Sequence, residues 1–182
     1  VLEEGINEGG AFAAWLAAAT SYSNNEMPLI PFYVFYSMFG FQRIGDLCWA
    51  AGDLQARGFL LGGTSGRTTL NGEGLQHQDG HSHILAATVP NCVSYDPTYA
   101  YELAVIIRQG LQEMYVEKMP RYYYITIMNE NYEQPAIPKG VEQGILRGMY
   151  CLQKNAVKSS KKVVQLLGSG TILRESIAAA EL

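Results

Sequence analysis

Apolar positions along the chain recur at two different spacings, helical and strand-like, in alternation. Residues 6–20, INEGGAFAAWLAAAT, combine alanine-rich helix propensity with an interior free of proline, which predicts a buried helix starting near Glu8. MPLIPFYVFY is apolar and aromatic over a strand's length and is bounded by prolines, so it predicts a buried strand. In FGFQRIGDLCWAAGDLQ, Ile44, Leu47, Cys48 and Ala51 fall at helical spacing, and the short apolar run GFLLGG follows. A glycine- and threonine-rich loop, GGTSGRTTLNGEG, leads through a histidine-bearing stretch into HILAATVP and a strand, NCVSYD. In YAYELAVIIRQGLQEMY, Leu103, Ile106, Ile107, Leu111 and Met114 share one helical face. Next come a strand YYYITIMN, a proline-rich surface loop NENYEQPAIPKG, a short helix GVEQGILRG and a strand MYCLQ. A break at NAVKSSKK precedes VVQLLGSGTILRESIAAAEL, which reads as strand, glycine turn and helix. The alternation implies the α/β class: a three-layer sandwich whose mostly parallel sheet carries helices on both faces. Residues 1–155 read as one domain, and 156–182 as a linker plus the first strand–turn–helix of another.

Composition narrows the class. A chain of 182 residues with 48% hydrophobic and 16% charged residues fits a globular protein and excludes a natively disordered one. The net charge of −4 argues against a nucleic-acid surface, and the basic run KSSKK at 158–162 reads as a solvated linker. AFAAWLAAAT is too short to span a bilayer and lacks the basic flank of a signal peptide, so no membrane partner is expected. Cys48, Cys92 and Cys151 are widely spaced with no CxxC pair, which suits free thiols in a reducing, cytoplasmic setting. Cys48 and Cys151 sit in apolar stretches and read as small core residues rather than nucleophiles. Val1 opens without methionine into what reads as mid-fold sequence, and ILRESIAAAEL is an unfinished helical pattern. The expectation is a fragment of a longer polypeptide.

Chemistry concentrates in GEGLQHQDGHSH at 72–83, which holds His77, His81 and His83, all the histidines of the chain, with Glu73 and Asp79 among them. Three readings are open. As a metal site the side chains are suitable, but Gly80 interrupts the His77–His81 spacing and the HExxH pattern is missing. As an acid/base cluster, imidazoles beside carboxylates suit proton transfer or the binding of an anionic substrate. The third reading is a polar loop with no chemistry. Further on, GSGTIL resembles a phosphate-cradling turn but lacks the last glycine of GxGxxG, and a plain tight turn accounts for it. The aromatic run FYVFYSMFGF reads as core, with a cofactor-stacking platform as the minority reading.

Four stretches taken together resemble a known family. EGINE at 4–8, IPFYVFYSMFGFQRIGDLCWAAGD at 30–53, GTSGRTTLNGEGLQHQDGHSHI at 63–84 and NENYEQPA at 129–136 are similar to the middle, pyrimidine-binding domain of the homodimeric, bacterial-type pyruvate dehydrogenase decarboxylating component. The resemblance runs over essentially the whole chain and ends just inside a C-terminal domain. It implies thiamin diphosphate as cofactor, pyruvate as substrate, a second identical subunit across the active site and a lipoyl-bearing acyltransferase as partner. Within the Gly5-Ile6-Asn7-Glu8 motif, it implies that a buried Glu8 carboxyl hydrogen-bonds N1′ of the aminopyrimidine and promotes its imino tautomer. Phe39 is implied to stack on that ring, with Phe35 in the same apolar pocket. Tyr36 and His77 are implied to reach toward pyruvate, Glu73 to belong to the same wall, and His83 to lie near the substrate through a match to the transketolase DGPTH motif. His81 stands where that motif has proline, and Gln78 where the family has glutamate after its first histidine. The GDG…N motif that holds Mg²⁺ and the diphosphate is absent, because Gly45-Asp46 and Gly52-Asp53 lack its companion residues. The chain alone is therefore expected to supply no metal ligand and to be inactive. The alternatives are another 2-oxo acid decarboxylating component, a transketolase, or a non-catalytic metal-binding or interaction module with His77 and His83 as ligands.

Overall fold

In the computed structural model, residues 1–66, 70, 72–154 and 163–182 are described. Part of the threonine-rich loop, and the KSSKK run with the start of the expected second domain, lie outside them. Asn7 begins the first helix, α1 (Glu8–Ala19), where its Oδ1 accepts the Gly10 N–H at 3.0 Å. That bond satisfies one donor that a helix start leaves bare. Phe12, Trp15 and Ala19 form the buried stripe of α1. The indole of Trp15 donates to the Pro31 carbonyl at 3.3 Å and so ties α1 to the proline-bounded approach to β1 (Phe32–Tyr36). The other elements are α2 (Ser21–Asn24), α3 (Gly40–Asp53), β2 (Phe59–Gly63), α4 (Ser82–Ala86), β3 (Cys92–Tyr95), α5 (Ala100–Leu111), β4 (Tyr122–Thr126), α6 (Glu142–Leu146) and α7 (Gly170–Ala180).

The strands form one sheet in the order β1-β2-β4-β3, and every described pair is parallel. Helices α1, α3 and α4 cover one face, around Phe12, Ile44, Cys48, Leu60, Tyr122 and Tyr124. Helices α5 and α6 cover the other, around Phe59, Ile106, Met114, Tyr123 and Ile125. This is the three-layer arrangement that the alternating pattern predicts. Strand β4 is buried along its whole length, so each of its three tyrosines must place a hydroxyl in the interior. Tyr122 donates to the Cys48 carbonyl at 3.0 Å, Tyr123 to Glu113 at 2.5 Å and Tyr124 to Ser82 Oγ at 2.9 Å. Burial pushes all three phenols above their ordinary pKa, so they stay neutral donors.

Four expectations are corrected. Strand β1 is not a buried strand: it lies at the sheet edge, and Phe32, Val34 and Tyr36 are exposed while Phe35 alone is buried. Its buried residue, Phe35, packs in the core cluster with Phe12 of α1 and Phe41 and Ile44 of α3. MYCLQ forms no strand, because its anchor is the Tyr150 side chain, whose hydroxyl donates to Glu102 of α5 at 2.6 Å. VVQLL also joins no described strand, and Val164 and Leu167 are exposed. Cys151 is exposed rather than in the core, whereas Cys48 is fully buried and burial pushes its thiol pKa up.

Helix α7 docks on the ends of β3 and β4. The Gly170 N–H donates to the Asp96 carbonyl at 3.0 Å, Thr98 Oγ1 donates to the Gly170 carbonyl at 2.7 Å, and Arg174 meets Glu130 at 2.5 Å. The anion at the GSGTIL turn is the protein's own, since Ser169 Oγ donates to the Asp96 carboxylate at 2.9 Å. Gly170 has φ +49°, and a Cβ there would lie 2.5 Å from the Asp96 carboxylate oxygens. Gly170→Ala is therefore expected to cost about 2 kcal/mol and to loosen the docking of α7. Faster amide hydrogen exchange along α7 measures it, and unchanged exchange would show the contact to be dispensable.

Candidate active site

The carboxyl ends of parallel strands are where α/β folds gather ligand-binding side chains, and Tyr36 ends β1 there. The Ser37 N–H donates to the Gly63 carbonyl at 2.8 Å and turns the chain, so that Phe39 becomes the residue before α3. His77 lies in a 3₁₀ turn, Leu75–His77, reached through Gly74 at φ +80°. The three rings converge: Phe39–His77 centroids are 5.3 Å apart, Tyr36–His77 5.9 Å and Tyr36–Phe39 6.1 Å, all edge to face. The Glu73 carboxylate stands 3.6 Å from His77 Nδ1. Tyr36 keeps 54% of its surface exposed, so the cluster is an open aromatic wall rather than core.

Glu8, in the first turn of α1, pairs with Arg43 of α3, and the Arg43 guanidinium lies 4.4 Å from the centre of the Phe39 ring. The expected buried carboxyl is thus partly exposed, at 19% of its side chain, and held by an ion pair. Sequence reasoning missed Arg43, although its place four residues after Phe39, on the same side of a helix, was a usable signal. Phe35 stands apart from this group. Strand alternation turns it to the opposite face, where it stacks on Tyr124 at 6.1 Å and contacts Gly40.

The other two histidines occupy different surroundings. The Gln42 amide donates to His81 Nε2 at 2.8 Å, which links the histidine loop to α3. His83 Nε2 lies 2.9 Å from Thr126 Oγ1 at the end of β4, with its ring 5.2 Å from that of Tyr124. His77 and His83 therefore belong to separate contact groups. Among the described residues, no group of three or more His, Cys, Asp or Glu could hold a metal ion.

Asp79 organises this loop, a role the sequence did not reveal. Its Oδ1 accepts the His81 and Ser82 N–H groups at 3.1 and 3.0 Å, and its Oδ2 accepts the Ser82 hydroxyl at 2.5 Å. Burial alone would raise its pKa, but the Ser82 and His81 hydrogen bonds outweigh that and hold it below the usual 3.8. Because the folded value is the lower one, the stabilisation is full above the unfolded pKa and fades as pH falls below it through the folded value. Asp79→Asn is expected to cost about 1–2 kcal/mol at pH 7. It should also flatten the acid limb of stability, measured as denaturation midpoint against pH; an unchanged limb would show that Asp79 does not set it.

Layering and site together define a fold class. A transketolase from Campylobacter jejuni matches with TM-score 0.55 at 12% identity, over 68% of this chain and 18% of that one. A split-gene transketolase, described as an inactive tetramer, matches at 0.50 and 17% identity, over 74% and 39%. At such identities the likeness shows the fold alone: the α/β fold of the transketolases. More specifically, the chain belongs to the family of the pyruvate dehydrogenase E1 component middle domain, whose model matches residues 1–135. Over the full chain it is 68% identical to the pyruvate dehydrogenase E1 components of Pseudomonas aeruginosa and Escherichia coli, and 60% identical to that of Haemophilus influenzae. It spans about a fifth of the length of these curated relatives, 20%, 20% and 21%.

Proposed function

We propose that this chain forms the aminopyrimidine and substrate side of a thiamin-diphosphate active site, within a longer pyruvate dehydrogenase E1 chain that decarboxylates pyruvate and passes the acetyl group to a lipoyl domain. The observation that carries this reading is the position of Arg43. Its guanidinium, a flat group rimmed with N–H donors, lies on the Phe39 ring while donating to Glu8. The space between ring and carboxyl thus accepts a planar donor group, and an aminopyrimidine has that character. When bound, thiamin diphosphate supplies the electron sink for decarboxylation of a 2-oxo acid.

The chain's own residues do the positioning. Phe39 offers a ring face for stacking and Glu8 a carboxyl at the ring's edge. Glu73 places a carboxylate beside the imidazole of His77, and Tyr36 and His77 form the wall that faces pyruvate. Phe35, behind the turn, supports Phe39 through Gly40 instead of touching the cofactor. Mg²⁺ and the diphosphate fall to a domain outside this chain, contributed across the interface by a second identical subunit. The exposure of Tyr36 and the open strand edge suit such an interface. Three unpaired cysteines suit a cytoplasmic enzyme, and no helix among the described residues is long and apolar enough to cross a membrane.

The test is the full-length enzyme with thiamin diphosphate and Mg²⁺, offered pyruvate, longer 2-oxo acids and a ketose phosphate, with acetylation of a lipoyl domain followed. Pyruvate turnover coupled to lipoyl acetylation is the expected result. Preference for a ketose or another 2-oxo acid would overturn the substrate assignment. The isolated 182-residue chain should be inactive, and pyruvate decarboxylation by it would contradict the division of the site.

A further inference from the structure

Strands β3 and β4 pair with Tyr95 opposite Ile125, so the next residue of each, Asp96 and Thr126, meet at the carboxyl edge of the sheet. Thr126 Oγ1 lies 2.6 Å from Asp96 Oδ1 and 2.9 Å from His83 Nε2. Thr126 is 2% exposed, and its other acceptor, the Tyr95 carbonyl, is farther off at 3.4 Å. A threonine hydroxyl has one proton to donate. A carboxylate at 2.6 Å accepts it in a charge-assisted bond, stronger than one to a neutral ring nitrogen. The oxygen lone pair is then left facing His83, and only a protonated Nε2 can bond to it.

We propose that Thr126 and Asp96 are positioning residues that lock the neutral His83 ring as its Nε2–H tautomer, leaving Nδ1 as the lone-pair nitrogen that can accept a proton or a hydrogen bond. His83, Thr126, Asp96, Asp79 and Ser65 share the wall of a cavity of about 260 Å³, a size that suits a small polar ligand. Burial lowers the His83 pKa against the opposing pull of Asp96 and Asp79, so the ring is neutral at pH 7 and its tautomer matters. The same carboxylate takes the Ser169 hydroxyl on its other oxygen. Docking of α7 therefore holds Asp96 in the orientation that sets Thr126, and through it His83.

The consequence for turnover rests on the proposed function; the tautomer does not. The experiment uses the full-length enzyme with isotope-labelled histidine, whose ring nitrogens resonate at different frequencies with and without a proton. His83→Gln assigns the signal, and Thr126→Ser is compared with Thr126→Val. Wild type and Thr126→Ser should show a proton on Nε2 alone. Thr126→Val should show a tautomer mixture and lose at least about tenfold in kcat, which serine retains. A proton on Nδ1 in the wild type overturns the proposal without need of any variant. Identical His83 signals in the valine and serine variants also overturn it, whereas an unchanged kcat in Thr126→Val with an altered tautomer supports the lock and overturns only its consequence for turnover. If the enzyme does not consume pyruvate at all, the functional reading fails while the wild-type signal still decides the tautomer.

Discussion

Glu8→Gln in the full-length enzyme is expected to reduce pyruvate turnover by roughly 10²–10⁴-fold, the range for removing a group that moves a proton in the reaction. The circular-dichroism signal of the bound cofactor should disappear with it. Glutamine keeps the length and shape of the side chain and can still accept from Arg43, so only the carboxyl's ability to hold and release a proton is lost. The Glu8–Arg43 pair is partly exposed on both sides, and such pairs contribute about 1 kcal/mol or less. The variant should therefore fold and melt close to wild type. A loss of turnover with intact melting separates chemistry from stability. Turnover near the wild-type rate would remove the central claim about this site.

The largest expected effect on stability is at Glu102, in the first turn of α5. It is 7% exposed, and its Oε2 accepts the N–H groups of Thr98 and Tyr99 at 2.6 and 2.8 Å, which satisfies two donors at the start of the helix. Its Oε1 accepts the Tyr150 hydroxyl at 2.6 Å, and that hydroxyl lies 2.5 Å from the Tyr101 hydroxyl. Glu102→Ala leaves two helix-start donors and a phenol pair without their acceptor. Each buried group so stranded costs about 1–3 kcal/mol, not additively, and about 3 kcal/mol in total is expected. Glu102→Gln keeps an acceptor for the backbone and should cost about 1 kcal/mol. Denaturant midpoints of the two variants measure the difference, and equal, small losses would mean that Glu102 does not anchor α5 and the Tyr150 segment.

Much of this molecule was legible in its sequence. The alanine-rich run marked α1 and its start near Glu8, and helical spacing from Leu103 to Met114 marked α5, whose end the structure continues as a π-helical turn, Gln112–Val116. The motifs around Glu8, Tyr36, Phe39, Glu73 and His77 named residues that, with Arg43, form one contact group drawn from three segments of the chain. The misreadings share a cause. FYVFY, MYCLQ and VVQLL have strand composition, but burial of a strand depends on its position in the sheet, and a strand needs a partner. β1 took the edge, Tyr150 found α5, and VVQLL pairs with no described strand.

By itself the sequence determined the helices α1, α3 and α5, the four strands of the sheet and its parallel class, because propensity, capping and periodicity are local properties of the chain, and its motifs named the candidate site residues through resemblance. The tertiary structure alone decided that Phe35 faces the core and Phe39 the site, that Arg43 bridges Phe39 to Glu8, and that Asp96 and Thr126 stand beside His83. These depend on strand order and register, which bring together residues 30 and 43 positions apart. No local pattern encodes such a pairing, because it is the packing of the whole core that selects it.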